Sequence, residues 1–84
     1  MPARLTVDGL PEWFTDHDLE ALFTPYGRVL TARIIQAQYI PSYRYGFVEM
    51  VTMAEAERAR EALNRRRIDD HLILVFIVSD ENGR

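Results

Sequence analysis

A chain of 84 residues, 48% apolar and 27% charged, holds material for one hydrophobic core, because a domain this short buries only about 60% of its unfolded surface. The absence of cysteine excludes a disulfide framework and thiolate metal sites and fits a reducing, cytoplasmic setting. A net charge of −3 argues against a phosphate binder held by bulk electrostatics, and the longest apolar run, residues 72–78, falls far short of a membrane span. With no basic-then-apolar leader at the start, neither secretion nor bilayer insertion is expected.

Leu5-Thr6-Val7-Asp8 alternates and is closed by Gly9-Leu10-Pro11, which predicts a first strand with Leu5 and Val7 inward and Thr6 and Asp8 on the other face. Thr15 and Asp18 have the spacing of a capping box, with Phe14 and Leu19 placed as a hydrophobic staple. A first helix follows, its stripe formed by Leu19, Leu22 and Phe23 and its end marked by Pro25 and Gly27. Residues 29–36 are rich in β-branched residues and read as a second strand, with Ala32 and Ile34 on one side and Arg33 and Ile35 on the other. A loop over residues 37–42 leads to a third strand, Tyr43-Arg44-Tyr45-Gly46-Phe47-Val48-Glu49-Met50. Thr52 and Glu55 repeat the capping box, and Ala56, Ala59 and Leu63 form a narrow stripe that lets the second helix sit close to a sheet. Residues 64–71 read as a polar, arginine-rich connection, residues 72–78 as a final strand and residues 79–84 as a flexible tail. A single domain is expected over residues 1–84, with its core at about 4–78.

The order strand, helix, strand, strand, helix, strand predicts an α+β sandwich of ferredoxin-like type. Two helices cover one face of a four-stranded antiparallel sheet and leave the other open. Strand parity says which is which. Leu5, Val7, Ala32, Ile34, Gly46, Val48, Met50, Ile73, Val75 and Ile77 make a coherent apolar set for the helix side. The complementary set mixes Thr6, Asp8, Arg33, Tyr45 and Glu49 with Ile35, Phe47, Leu74, Phe76 and Val78. Charges would not tolerate burial without partners, so this second set belongs to the open face. Two aromatics at strand spacing, Tyr45 and Phe47, then stand where flat partners such as nucleobases can stack. All ten basic residues are arginine, three of them consecutive at Arg65, Arg66 and Arg67, and arginine offers both a phosphate fork and a stacking face.

On these residues the chain resembles the RNA recognition motif (RRM) family. The octamer pattern of that family is matched at Tyr45, Gly46, Phe47 and Val48, and its hexamer pattern at Leu5, Val7 and Leu10. Leu19 to Phe23 followed by Tyr26-Gly27-Arg28-Val29, and Ala62-Leu63-Asn64 followed by Ile68, extend the likeness over residues 4–78. The size resembles small stand-alone bacterial members. The resemblance implies binding of single-stranded RNA across the sheet, with bases on Phe47 and Tyr45 and phosphates held by Arg33, Arg44 and Arg65 to Arg67. Asp8, Glu49 and Phe76 share that face. The departures are a tyrosine and an arginine, Tyr43 and Arg44, where the octamer begins with a basic residue and glycine, Thr6 in place of a stacking aromatic, and Met50 in place of the last aromatic.

The rival reading is a protein-interaction module. Ile35, Leu74, Phe76 and Val78 add apolar area to the open face, suited to a protein partner or a second copy of the chain. Single-stranded DNA is the other alternative ligand. No enzyme activity, cofactor or metal is expected: no glycine-rich phosphate loop precedes the first helix, and His17 and His71 have no sequence neighbours that form a triad or metal pair. Trp13 reads as a packing or loop residue.

Overall fold

Both helices begin where the capping boxes place them. The Thr15 side chain accepts from the Asp18 amide at 3.1 Å while the Asp18 carboxylate accepts from the Thr15 amide at 2.9 Å. Thr52 and Glu55 exchange the same pair of bonds, each at 3.2 Å. Each box satisfies two amides that a helix start leaves without partners. The computed structural model describes residues 1–40 and 43–78. The expected tail at 79–84 and residues 41–42 of the loop after the second strand lie outside the described residues.

Along the chain run β1 (Ala3–Asp8), α1 (Asp16–Phe23), a 3-10 turn (Thr24–Tyr26), β2 (Val29–Gln36), β3 (Arg44–Met50), α2 (Met53–Leu63), a small hairpin of β4 (Arg67–Ile68) and β5 (His71–Leu72), and β6 (Leu74–Ile77). The main sheet is antiparallel throughout, in the order β2-β3-β1-β6. On its helix side Leu5, Val7, Val48, Met50, Ile73 and Val75 meet Leu19, Phe23, Ala56, Ala59 and Leu63, all buried. Ala32, Ile34 and Ile77 pack half-buried against this core. The parity assignment therefore holds on all four strands.

Gly46 faces α1 and the β1–α1 loop across a narrow gap. A methyl group there would lie 3.0 Å from the Leu19 side chain and 3.1 Å from that of Leu10, so a small residue at this position lets the helix settle onto the sheet.

The last third of the chain differs from its sequence reading. In place of a polar connection and one continuous strand over 72–78, β4 and β5 pair with each other as a separate two-stranded ribbon. Ile73 turns inward between β5 and β6, and its backbone exchanges bonds with Arg65 and Arg66 at 2.8 and 2.9 Å. Asp69 at φ 55° provides the left-handed residue that closes the hairpin. The apolar run over residues 72–78 passes through the break without interruption, which is why the sequence alone shows a single strand.

Both edges of the main sheet carry a side-chain stopper. Asp16 accepts from the Ile34 amide on β2 at 2.7 Å, and the Asn64 carbonyl oxygen accepts from the Val75 amide on β6 at 2.9 Å. Each of these two edge amides is satisfied within the chain and is not available to another strand.

Candidate nucleic-acid interface

The strand register sets the open face out in rows. The central row reads Arg33, Phe47, Thr6, Phe76 from β2 to β6. On one side of it Ile35 lies across from Tyr45, and Asp8 across from Leu74. On the other side Thr31, Glu49 and Arg4 are aligned on β2, β3 and β1. Seven of the eleven residues that the sequence assigned to binding, Tyr45, Phe47, Thr6, Arg33, Asp8, Glu49 and Phe76, therefore share the open face. Phe47 has Arg33 on one flank and the small Thr6 on the other, which leaves room beside its ring. Phe76 is 48% exposed on the far side of Thr6. An exposed ring with no helix over it is a surface for a flat partner.

Arg44 corrects the sequence reading. It has the parity of Gly46 and Val48, and its guanidinium donates to the backbone carbonyls of Glu12 at 2.7 Å, Phe14 at 3.0 Å and Pro11 at 3.4 Å. These bonds turn it away from the open face and tie β3 to the loop between β1 and α1. Arginine, with five donors on a planar fork, suits this task. The same loop holds Phe14 buried and Trp13 57% exposed, their rings 5.4 Å apart and tilted by 51°.

The arginine run is also not on the main sheet. Arg65 and Arg66 lead into the ribbon and Arg67 opens β4. Arg66 points a guanidinium nitrogen at the Tyr26 hydroxyl at 3.5 Å, and Arg58 on α2 points one at the Tyr26 carbonyl at the same distance. Tyr26 packs against the core from the 3-10 turn, so Arg66 lies toward the helix layer.

One residue that the sequence reading left out of the site is on its margin. Tyr43, just before β3, is 38% exposed, and its ring stacks on that of Tyr45 with centroids 5.8 Å apart and planes 28° apart. Its hydroxyl donates to the Asp8 carboxylate across the sheet. That bond, together with partial desolvation and electrostatic interaction with Asp8 and Tyr45, pushes the Tyr43 phenol up from the usual 10 to about 12. The signal in the sequence was the spacing Tyr43, Tyr45, Phe47; the partner Asp8, 35 residues away, was beyond local reading. His17 and His71 are both exposed. Among the described residues no three metal-binding side chains come together.

A family model described as the RNA recognition motif matches residues 5–74. The chain is similar to Protein elav of Drosophila melanogaster, with 41% identity over 64 residues covering 74% of this chain and 13% of that protein. It is also similar to RNA binding protein fox-1 homolog 3 of Homo sapiens, with 38% identity over 74 residues covering 88% of this chain and 23% of that one. The chain thus spans less than a quarter of the length of these curated relatives. Among solved structures, a Sxl-lethal protein/RNA complex superposes with a TM-score of 0.81 at 30% identity, over 94% of this chain and 48% of that chain.

Proposed function

The chain belongs to the RNA recognition motif family, and we propose that the open face of its sheet binds single-stranded RNA, with bases stacked on Phe47 and Tyr45. The observation that carries this reading is the central row: an aromatic ring in the middle of an uncovered sheet, beside an exposed arginine, Arg33, on β2. A base on Phe47 would have its sugar and phosphate within reach of that guanidinium. The fold similarity to a protein/RNA complex adds support. Each base stacked on an aromatic contributes about 1–3 kcal/mol, so Tyr45 and Phe47 alone, with no ring at Thr6, would give an affinity lower by roughly one to two orders of magnitude than a three-platform face. Single-stranded DNA fits the same rings, since stacking does not sense the 2′-hydroxyl.

A second reading has its own observation. Phe76 at 48% and Val78 at 37% are exposed on and beside the β6 side of the face, where they offer apolar area to a protein partner or a second copy of the chain.

The test is an amide NMR titration of the labelled domain with a short mixed-sequence single-stranded RNA at low and moderate salt, beside a Phe47→Ala variant. Shifts at Tyr45, Phe47 and Arg33 that disappear in the variant support RNA binding. Silence toward every RNA pool, with line widths at Leu74, Phe76 and Val78 growing with protein concentration, would replace it with the interaction module.

A further inference from the structure

Three aromatic residues, not two, line one side of β3. Side chains two apart on a strand are separated by about 6.5–7 Å along it, and Tyr43, Tyr45 and Phe47 continue that spacing beyond the β3 start at Arg44. Tyr43 is held in place from three directions. Its carbonyl accepts from the Ala37 amide at 2.9 Å and from the Gln36 side-chain amide at 2.9 Å, and its own amide donates to the Ile40 carbonyl at 2.9 Å. Its ring rests against Tyr45, and its hydroxyl is fixed by Asp8 on the neighbouring strand. A ring anchored this firmly and still 38% exposed loses little freedom when a flat ligand settles on it.

The charge of the site points the same way. The pattern of the family opens the octamer with a basic residue, whose natural partner is a phosphate. Here that position is a neutral phenol bonded to a carboxylate, which has no positive charge to offer a phosphate and does have a ring face to offer a base. At the same time β1 presents Thr6 where a stacking ring is missing.

We propose that Tyr43 is a third base-stacking platform of this face, taking over from the ring that Thr6 lacks, so that three bases of a bound strand are received in line along β3. The ligand class is an unpaired nucleobase recognised by its flat face, and Asp8 acts as the positioning residue for the phenol. This inference rests on the RNA-binding reading above and goes further than it, since it names a residue and a direction of travel.

The experiment measures binding of an end-labelled, eight-nucleotide mixed-sequence single-stranded RNA by fluorescence anisotropy over a salt series, with melting curves recorded for each variant. Tyr43→Ala is expected to weaken binding by about 5- to 150-fold, the range of one lost stack. Tyr43→Leu, which keeps apolar bulk without a π face, is expected to lose as much, and Tyr43→Phe to stay within a few-fold of the native chain. The slope of log affinity against log salt should be the same in Tyr43→Ala as in the native chain, because no phosphate contact is removed. The proposal is overturned if Phe47→Ala loses binding while Tyr43→Ala and Tyr43→Leu keep it, or if Tyr43→Phe falls as far as Tyr43→Ala. A native chain that binds no RNA at all overturns the reading beneath it as well, and that outcome is distinct because Phe47→Ala then changes nothing.

Discussion

Replacing Arg44 with methionine separates two roles that the sequence alone does not distinguish. As a phosphate contact, Arg44 would matter to RNA and little to the fold; as a clamp on the β1–α1 loop, the reverse. Its bonds to the Glu12 and Phe14 carbonyls, at 2.7 and 3.0 Å, are well formed, while the 3.4 Å bond to Pro11 is near the geometric limit. Methionine keeps most of the apolar stem and removes every donor. Water reaches the freed carbonyls in part, so each good bond counts for about 1 kcal/mol and the pair for roughly 2 kcal/mol. At a urea slope near 1 kcal/mol/M this lowers the unfolding midpoint by about 2 M, and it lowers Tm by roughly 8–16 °C. Trp13, the only tryptophan, lies in the clamped loop and reports unfolding by its fluorescence. RNA affinity, measured well below the lowered Tm, is expected to stay within about twofold with an unchanged salt slope. An Arg44→Met chain as stable as the native one, with weaker RNA binding and a flatter salt dependence, would return Arg44 to the binding face and refute the clamp.

Asn64→Ala removes the acceptor of the Val75 amide on the β6 edge and is expected to destabilise the fold by about 1–2 kcal/mol; hydrogen exchange at Val75 should rise above that of its β1-bonded neighbours, and unchanged protection there would show the bond to be idle. Tyr43 gives the fold a dependence on alkaline pH. Its phenol has a folded pKa near 12 against 10, so the folded chain holds a proton that the unfolded chain releases first. The stabilisation is complete below pH 10 and is lost as pH rises from there through 12. Since the ring is more than a third exposed, solvent screens the effect and it is small. Tyrosinate absorbance in the native chain should show one late-titrating group that is missing from Tyr43→Phe and shifted down in Asp8→Asn; identical titrations in all three would sink the assignment.

The parts of this protein legible in its sequence were those set by short-range periodicity. Thr15 with Asp18 and Thr52 with Glu55 state where helices start, because a cap is a local hydrogen-bond problem. Parity sorted the strands because one face is buried, and a slip by one residue would have put Asp8 and Arg33 into the core. Parity also bore on Arg44, which alternates with Gly46 and Val48; the long side chain at the strand start obscured what its position implied. The break at Ile73 was not legible, because the apolar run over residues 72–78 continues through it and only the change of strand partner marks it. The Tyr43 and Asp8 pair joins the end of β1 to the residue just before β3, and only the pairing of those two strands brings them together.

The distribution of charge decides what kind of RNA binding this face can support. Arg44 is spent on loop carbonyls, and Arg66 is turned toward Tyr26 in the helix layer. On the face itself Arg33 and Arg4 stand with Asp8 and Glu49, so two cations are matched by two carboxylates; Glu49 lies across from Arg4 in the register, and Asp8 is bonded by the Tyr43 hydroxyl. A face that is close to neutral, on a chain of net charge −3, cannot draw RNA in by releasing many counterions, since each phosphate neutralised adds about 0.7 to the salt slope for a single strand. Selection must then fall on what is left, the ring faces of Tyr43, Tyr45, Phe47 and Phe76. Unpaired bases present such faces, whereas a duplex keeps its bases stacked on one another and shows mainly phosphate. The same neutrality that lowers overall affinity therefore favours single strands over duplexes, which a phosphate-led surface of equal size would not do.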